Sequence, residues 1–257
     1  MEQLVQLGGL SAGHLVLAIG VTLIASFVKG AVGFAMPMIM VSGLASFLSP
    51  ELALAALILP TLVTNYQQAF RDGFAAAWRA IRARRVFLSV GAVCLVASAQ
   101  LVTVLDERVL FALIGVPIVL FGVVQLVGVD ISISEGRRLP VEVALAACAG
   151  VVGGVSGVWG PPLVLLLTAM GTPKAEQVRT QGVAFGLGAA LLTMTHLQTG
   201  VLNASTVPLS AAMVVPALIG MRIGQKVHDR LDQRKFRNAT LVVLVVAGAN
   251  LLRRAME

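Results

Sequence analysis

The sequence predicts an all-α polytopic membrane protein built from two inverted-topology repeats with broken or re-entrant helices. Three observations predict it: an apolar composition, an alternation of charge-free runs with basic connections, and a Gly/Pro motif that occurs twice. Of 257 residues, 58% are hydrophobic and only 12% are charged, against roughly a quarter charged in a soluble domain. That excludes an ordinary water-soluble globule. A span needs about 20 mostly apolar residues and uses roughly 25 to 30 with its connection, so the chain has material for about eight to ten segments. No length is left for a separate soluble domain.

Aromatic content is 5%, and the apolar mass is Ala, Val, Leu, Ile and Gly, the composition of packed helices rather than of a barrel with aromatic girdles. Cys94 and Cys148 sit singly inside apolar runs and read as packing residues, not as a disulfide or metal site. The opening MEQLVQLGGL lacks a basic n-region and a small-residue cleavage site, so it reads as mature chain.

Charge-free runs cover 3–28, 30–50, 52–70, 86–105, 109–129, 143–173, 180–221 and 238–252. The long run 180–221 is divided by a turn at Gly200-Val201-Leu202-Asn203. Four basic connections separate the spans: 71–85 with five arginines, 130–142 with Arg137 and Arg138, 171–180 with Lys174 and Arg179, and 222–237 with six basic residues. They hold fifteen of the 19 basic residues, which places them in the cytoplasm by the positive-inside rule and places the turns at 49–51, 105–108 and 200–206 outside. The tail, Arg253-Arg254, falls on the outer side by this count, against the rule. Because the basic stretches alternate with spans instead of forming one surface, nucleic-acid binding is not expected.

Self-similarity supplies the organisation. Gly30-x-x-Gly33-x-x-x-Pro37 returns 124 residues later as Gly154-x-x-Gly157-x-x-x-Pro161. Further matches keep step: Leu48-Ser49-Pro50 with Gly171-Thr172-Pro173, Gly73 with Gly200, Leu105-Asp106 with Leu231-Asp232, and Phe121-Gly122 with Ala247-Gly248. Matched loops differ in charge, basic in one half and neutral in the other, so the halves are expected to be inverted, as in many secondary transporters. The division is 1–129 for the first repeat, 130–140 for a cytoplasmic connection and 141–257 for the second repeat.

Each motif interrupts an apolar stretch, leaving 34–48 and 162–170 beyond the break. Nine residues of helix reach only about 13 Å, under half of the roughly 30 Å hydrocarbon core, so the second motif at least marks a broken or re-entrant helix. Irregular backbone at membrane depth survives only where it lines a cavity or is buried in protein. Helices restarting near Phe34 and Pro162 would aim free N–H groups at the break, which suits an anion. Lys29 stands directly before the first break and is the only charge between Glu2 and Glu51. It has two readings, a site cation or a side chain snorkelling to the surface. Gly30, Gly33, Gly154, Gly157 and Gly160, with Pro37 and Pro161, are read as site backbone, against close helix packing. Phe34, Ser156 and Trp159 within the breaks, Asn65 and Thr64 in 52–70, and Gln181 are candidate neutral ligands. Asn65, deep in a span, needs a hydrogen-bond partner, so helix-to-helix bonding is its competing role.

At these residues the chain resembles the TauE/SafE (sulfite exporter, TSUP) family of membrane transporters. The likeness spans essentially the whole chain and rests on Gly30-Ala-Val-Gly33-Phe-Ala-Met-Pro37, Ser49-Pro50, Arg71-Asp-Gly73, Gly150-Val-Val-Gly153-Gly154-Val-Ser-Gly157-Val-Trp-Gly160-Pro161-Pro162 and Gly171-Thr-Pro173. The resemblance implies a two-repeat helical carrier that moves sulfite, organosulfonates or related anions across the bacterial inner membrane, export being the usual assignment. The first copy departs from the glycine-dense pattern, with Lys29 and Ala31 where the second has Gly153 and Val155.

The charge census agrees with an anion. No Asp or Glu lies inside an apolar run, which argues against a carboxylate-lined cation path or proton relay. The expected partners are a small anion, the lipid bilayer and a candidate coupling proton, for which His196 and Lys29 are the titratable groups; His196, four residues before Gly200, reads foremost as an interfacial or packing side chain. No cofactor or metal is expected. No paired Asp, His-Glu-x-x-His, Gly-x-Ser-x-Gly or Walker A sequence is present, so neither an intramembrane enzyme nor a primary pump is expected. An anion channel and a non-catalytic subunit of a larger complex remain the alternative functions.

Overall fold

The computed structural model describes residues 10–128, 135–227 and 233–256; Arg230 and the Leu231-Asp232 match lie outside them. Every element among the described residues is helical. In chain order these are α1 (Ala12–Val32), α2 (Met36–Leu44), α3 (Pro50–Ala69), α4 (Phe74–Ala83), α5 (Arg85–Ala99) continued by a 3-10 turn at Gln100–Thr103, and α6 (Glu107–Val127). After a short 3-10 turn at Glu135–Arg137 follow α7 (Arg138–Ser156), α8 (Gly160–Ala169), α9 (Lys174–Thr199), α10 (Val207–Ala212), α11 (Val214–Val227) and α12 (Gln233–Met256). Five stretches, Ala12–Ala31, Arg85–Thr103, Glu107–Val127, Arg138–Ser156 and Val207–Val227, are long and apolar enough to cross a bilayer. The protein is a multi-pass membrane protein.

Local chemistry sets the helix ends. Ser11 Oγ accepts the His14 N–H at 3.2 Å and starts α1, and Ser49 Oγ accepts the Leu52 N–H at 3.3 Å and starts α3, with Pro50 in its first turn. Gly33, at φ 89°, ends α1 and returns its N–H to the Lys29 carbonyl at 2.7 Å. Gly200, at φ 84°, ends α9 where the sequence places the outer turn.

The centre is the antiparallel pair α3 and α9. Asn65 Nδ2 donates to the Phe185 carbonyl and Gln68 Nε2 to the Val178 carbonyl, both at 3.1 Å, so residue numbers rise along α3 as they fall along α9. The two helices therefore start at opposite ends of the pair. A helical hairpin leads into each. In the first, His14 at the head of α1 stacks on Phe47 beyond α2, centroids 5.6 Å apart, so α2 folds back along α1. In the second, Arg84 reaches Met170 Sδ beyond α8 at 3.0 Å and senses Glu142 and Arg138 at the head of α7. The hairpin tips, 33–35 and 157–159, thus enter from opposite ends and meet midway. The first returning segment is shorter than expected, nine residues of α2 instead of 34–48, because the helix starts only after Ala35 and ends before the turn at 45–47.

Small residues hold the hairpins to their neighbours. The helix α1 packs along α11, α5 along α7 and α6 along α12. At Gly224 a methyl group would overlap the Phe27 carbonyl and stand 3.0 Å from Ala31 N; at Gly154 it would overlap Ser98 Oγ and stand 2.7 Å from Ala99 N. These seams are of the small-residue kind that brings backbones together in lipid.

The basic connection 71–85 contains a helix, α4, that its arginines concealed. Ala76, Ala77 and Ala80 are buried, while Phe74, Trp78 and Arg82 share an exposed face. Tyr66, Phe70, Phe74 and Trp78 stack in series at 6.0, 6.2 and 6.5 Å, and Arg82 lies 5.4 Å over Trp78. The tail arginine that breaks the charge rule has a local use: Arg254 donates to the carbonyl of Ala45 at the C-terminal end of α2 and sits 4.2 Å over Phe111, where a cation complements the helix dipole.

Gly154→Ala should lower the unfolding free energy by about 1–3 kcal/mol through overpacking. Gly20→Ala, where nothing lies within 4 Å, should be neutral or stabilising by up to about 1 kcal/mol. Thermal unfolding in detergent reads both.

Candidate functional site

Where the hairpin tips meet, a cavity of about 20 Å³ is lined by Lys29, Phe34, Ala35, Pro37, Met38, Asn65, Gly157, Val158, Trp159, Gly160 and Phe185. That is room for about one water. Both returning helices begin at its wall, α2 at Met36 and α8 at Gly160, two residues away from the expected starts. Their prolines, Pro37 in the first and Pro161-Pro162 in the second, occupy first-turn positions and carry no N–H. The positive helix ends remain, with fewer free donors than a proline-free turn would offer.

Lys29 is 2% exposed. Its ammonium does not run to a surface; Nζ donates to Thr64 Oγ1 at 3.0 Å and to Asn65 Oδ1. Both partners are neutral, and the ion pair of Arg179 with Asp72 at 3.0 Å lies elsewhere. The helix α3 is shaped to supply them. Pro60 cannot donate to the Ala56 carbonyl, and Ser210 of α10 fits into that gap, with its Oγ 3.5 Å from the Ala56 carbonyl while accepting the Leu59 N–H at 3.1 Å. One turn on, Thr64 Oγ1 donates to the Pro60 carbonyl at 2.7 Å, which turns its lone pairs toward Lys29. Asn65 is oriented by its other end, the 3.1 Å bond to Phe185 O on α9.

Two aromatic walls close the space. Phe34 meets Phe121 edge to face at 6.3 Å. Trp159, 6% exposed, slots between α7 and α9, where a methyl group at Gly153 would stand 2.8 Å from its Cβ and one at Gly188 2.9 Å from its ring. Gln68 ties the first tip down, its Nε2 donating at 3.1 Å to the Gly33 carbonyl and equally to Val178.

Of the residues singled out in the sequence, Lys29, Phe34, Pro37, Asn65, Gly157, Trp159 and Gly160 line the cavity. The others stand around it. Gly30 lies in the α1–α11 seam and Gly154 in the α5–α7 seam. Gly33 is the left-handed end of α1, beside Val178. Ser156 shapes the second break, donating to Val152 O at 2.6 Å and accepting the Val158 N–H at 3.1 Å. Pro161 is buried in the first turn of α8, and Gln181 is buried on α9 with its amide oxygen unpartnered. Sequence reasoning missed Ala35, Met38, Val158 and Phe185. Ala35 carries the positive φ of 78° that reverses the chain, a conformation costing an L-residue roughly 1–2 kcal/mol, and nothing in its side chain signals that.

Fold and cavity together define a polytopic helical membrane protein with a buried lysine amine, bonded to a hydroxyl and an amide oxygen, at the meeting point of two half-helices. The chain belongs to the sulfite exporter TauE/SafE family, whose model matches residues 18–251. It is thus a member of a transporter family. A search of the curated proteins and of the solved structures finds no significant match.

Lys29 and Asn65 should act as one unit. Asn65→Leu should destabilise the protein by about 1–3 kcal/mol by removing the acceptor of a buried charge and cost less in a Lys29→Met background, a coupling of about 0.5–3 kcal/mol in a double-mutant cycle.

Proposed function

We propose that the protein is a secondary carrier that exports small anions, sulfite or organosulfonates, across the bacterial inner membrane by alternating access. The observation that carries this reading is Lys29, a fully buried ammonium whose partners are a hydroxyl and an amide oxygen. An unpaired charge removed from water costs several kcal/mol, and a bound anion offsets that cost where no carboxylate is at hand. The helix ends facing the cavity favour the same sign of charge.

Two further features support a carrier over a channel. The cavity is closed to about one water, so an anion of several heavy atoms enters only when the tips part. The hairpins also pack with exchanged partners, α1 on α11 and α5 on α7, the relation expected of inverted repeats that rock against each other.

In proteoliposomes the wild-type protein should catalyse sulfite counterflow, and Lys29→Ala should lower it at least tenfold while eluting as the same folded species. Unchanged flux in that variant would overturn the reading. For the orientation, a cysteine replacing exposed Arg79 in a cysteine-free background should label only from the cytoplasm, and one replacing exposed Ala204 only from outside.

A further inference from the structure

The connection 71–85 holds charge that the cavity does not use. Of its five arginines, Arg84 is buried and reaches Met170, while Arg71, Arg79, Arg82 and Arg85 are exposed. The acid of the stretch, Asp72, is engaged by Arg179 of α9 at 3.0 Å. Among the described residues none of the four exposed arginines has an acidic partner within ion-pair distance. Uncancelled positive charge at the end of a membrane span attracts anionic headgroups of the bilayer surface.

The helix α4 sorts its side chains into sectors. Its seat is the alanine face, Ala77 and Ala80 packing with Ala69 of α3 and Val183 of α9. At 3.6 residues per turn, the exposed arc beyond that seat runs first through Phe74 and Trp78 and then through Arg82 to Arg79. An aromatic edge and a cationic edge thus lie side by side. That is the pattern of a helix resting in a membrane interface, rings toward the hydrocarbon and guanidinium groups toward the headgroups.

The aromatic edge continues beyond α4. Tyr66 in the last turn of α3, Phe70 at its end, Phe74 and Trp78 follow one another at intervals of four residues and stack with interplanar angles of 11°, 5° and 11°. The stack begins inside the charge-free run 52–70 and ends beside Arg82, whose guanidinium lies over the Trp78 ring. All four rings are exposed, Phe74 to 71%. They include the chain's single tyrosine and one of its two tryptophans, residue types that favour the membrane–water boundary. A free anion or an acidic peptide would engage the arginines and leave the rings in water. An anionic phospholipid engages both, its phosphate on the guanidinium groups and an acyl chain along the rings.

We propose that α4 and the end of α3 form a binding site for an anionic phospholipid of the adjacent leaflet. Arg79 and Arg82 hold the phosphate, and Tyr66, Phe70, Phe74 and Trp78 line the acyl chain. The site is separate from the cavity and does not depend on what the protein carries.

The test places the full-length protein in phosphatidylcholine vesicles in which a minor fraction of the lipid is brominated, either phosphatidylglycerol or phosphatidylcholine at equal mole fraction. Bromine quenches a tryptophan that it touches. The Trp78 signal is the difference between wild type and Trp78→Phe, which leaves Trp159 as a common background. Brominated phosphatidylglycerol should associate with Trp78 at least threefold more strongly than brominated phosphatidylcholine. In Arg79→Gln/Arg82→Gln that preference should fall to about one, with either single substitution between the two, and thermal unfolding should stay at the wild-type temperature because both side chains are exposed. No preference in the wild type, or an undiminished preference in the double variant, would overturn the site. Relief of the quenching by millimolar inorganic phosphate would also overturn it, showing a seat for a free anion instead of a lipid. None of these outcomes bears on the carrier reading, which the counterflow measurement decides by itself.

Discussion

The arrangement depends on one constraint: a lysine amine held inside an apolar protein with, among the described residues, neutral hydrogen-bond partners in place of a carboxylate. Lys29 is tolerated because α3 presents a hydroxyl and an amide oxygen on adjacent positions at the depth its side chain reaches. Each is aimed by a bond at its other end, Thr64 to Pro60 and Asn65 to Phe185. The aim in turn depends on Pro60, whose missing N–H opens α3 to Ser210 of α10. A chain of four elements is thus arranged around a single charge. Neutral acceptors stabilise an ammonium but cancel none of its field, and that remaining field is what a transported anion would meet.

The second constraint is backbone. Chain reversals at membrane depth expose N–H and C=O groups that no lipid can satisfy, and each tip solves this with its own side chains. At the first, Gln68 takes the Gly33 carbonyl and Gly33 returns its N–H to Lys29. At the second, Ser156 intercepts the Val158 amide. Prolines at the restart of both returning helices remove donors that would otherwise stand bare. These devices make narrow tips possible, and narrow tips let two hairpins share one cavity.

Much of this was legible in the sequence, because charge and glycine are scarce signals in an apolar chain. Lys29 was conspicuous as the lone cation of the first 50 residues, and the duplicated Gly-x-x-Gly-x-x-x-Pro marked both reversals. What spacing could not separate is the work of each glycine. Gly30 and Gly33 stand three apart, yet one opens a helix seam and the other ends a helix at positive φ; both need the same absent side chain. Ala35 was invisible for the converse reason, since alanine gives no sign of a left-handed backbone. The helix α4 was hidden by its own arginines, its buried face being three alanines too small to register as an apolar stripe. Arg254, which the charge count leaves on the outer side against the rule, has a helix end close enough to use it.

The two halves are alike in path and unlike in chemistry, and the difference falls at matched positions. Where the first half carries Lys29, the second, 124 residues on, carries Gly153. A side chain there would collide with Trp159, whose ring fills the space between α7 and α9. One tip therefore brings the charge and the other a flat apolar wall. The first tip is thus tied to α3 by the Lys29 hydrogen bonds, whereas the second meets the cavity through an apolar face.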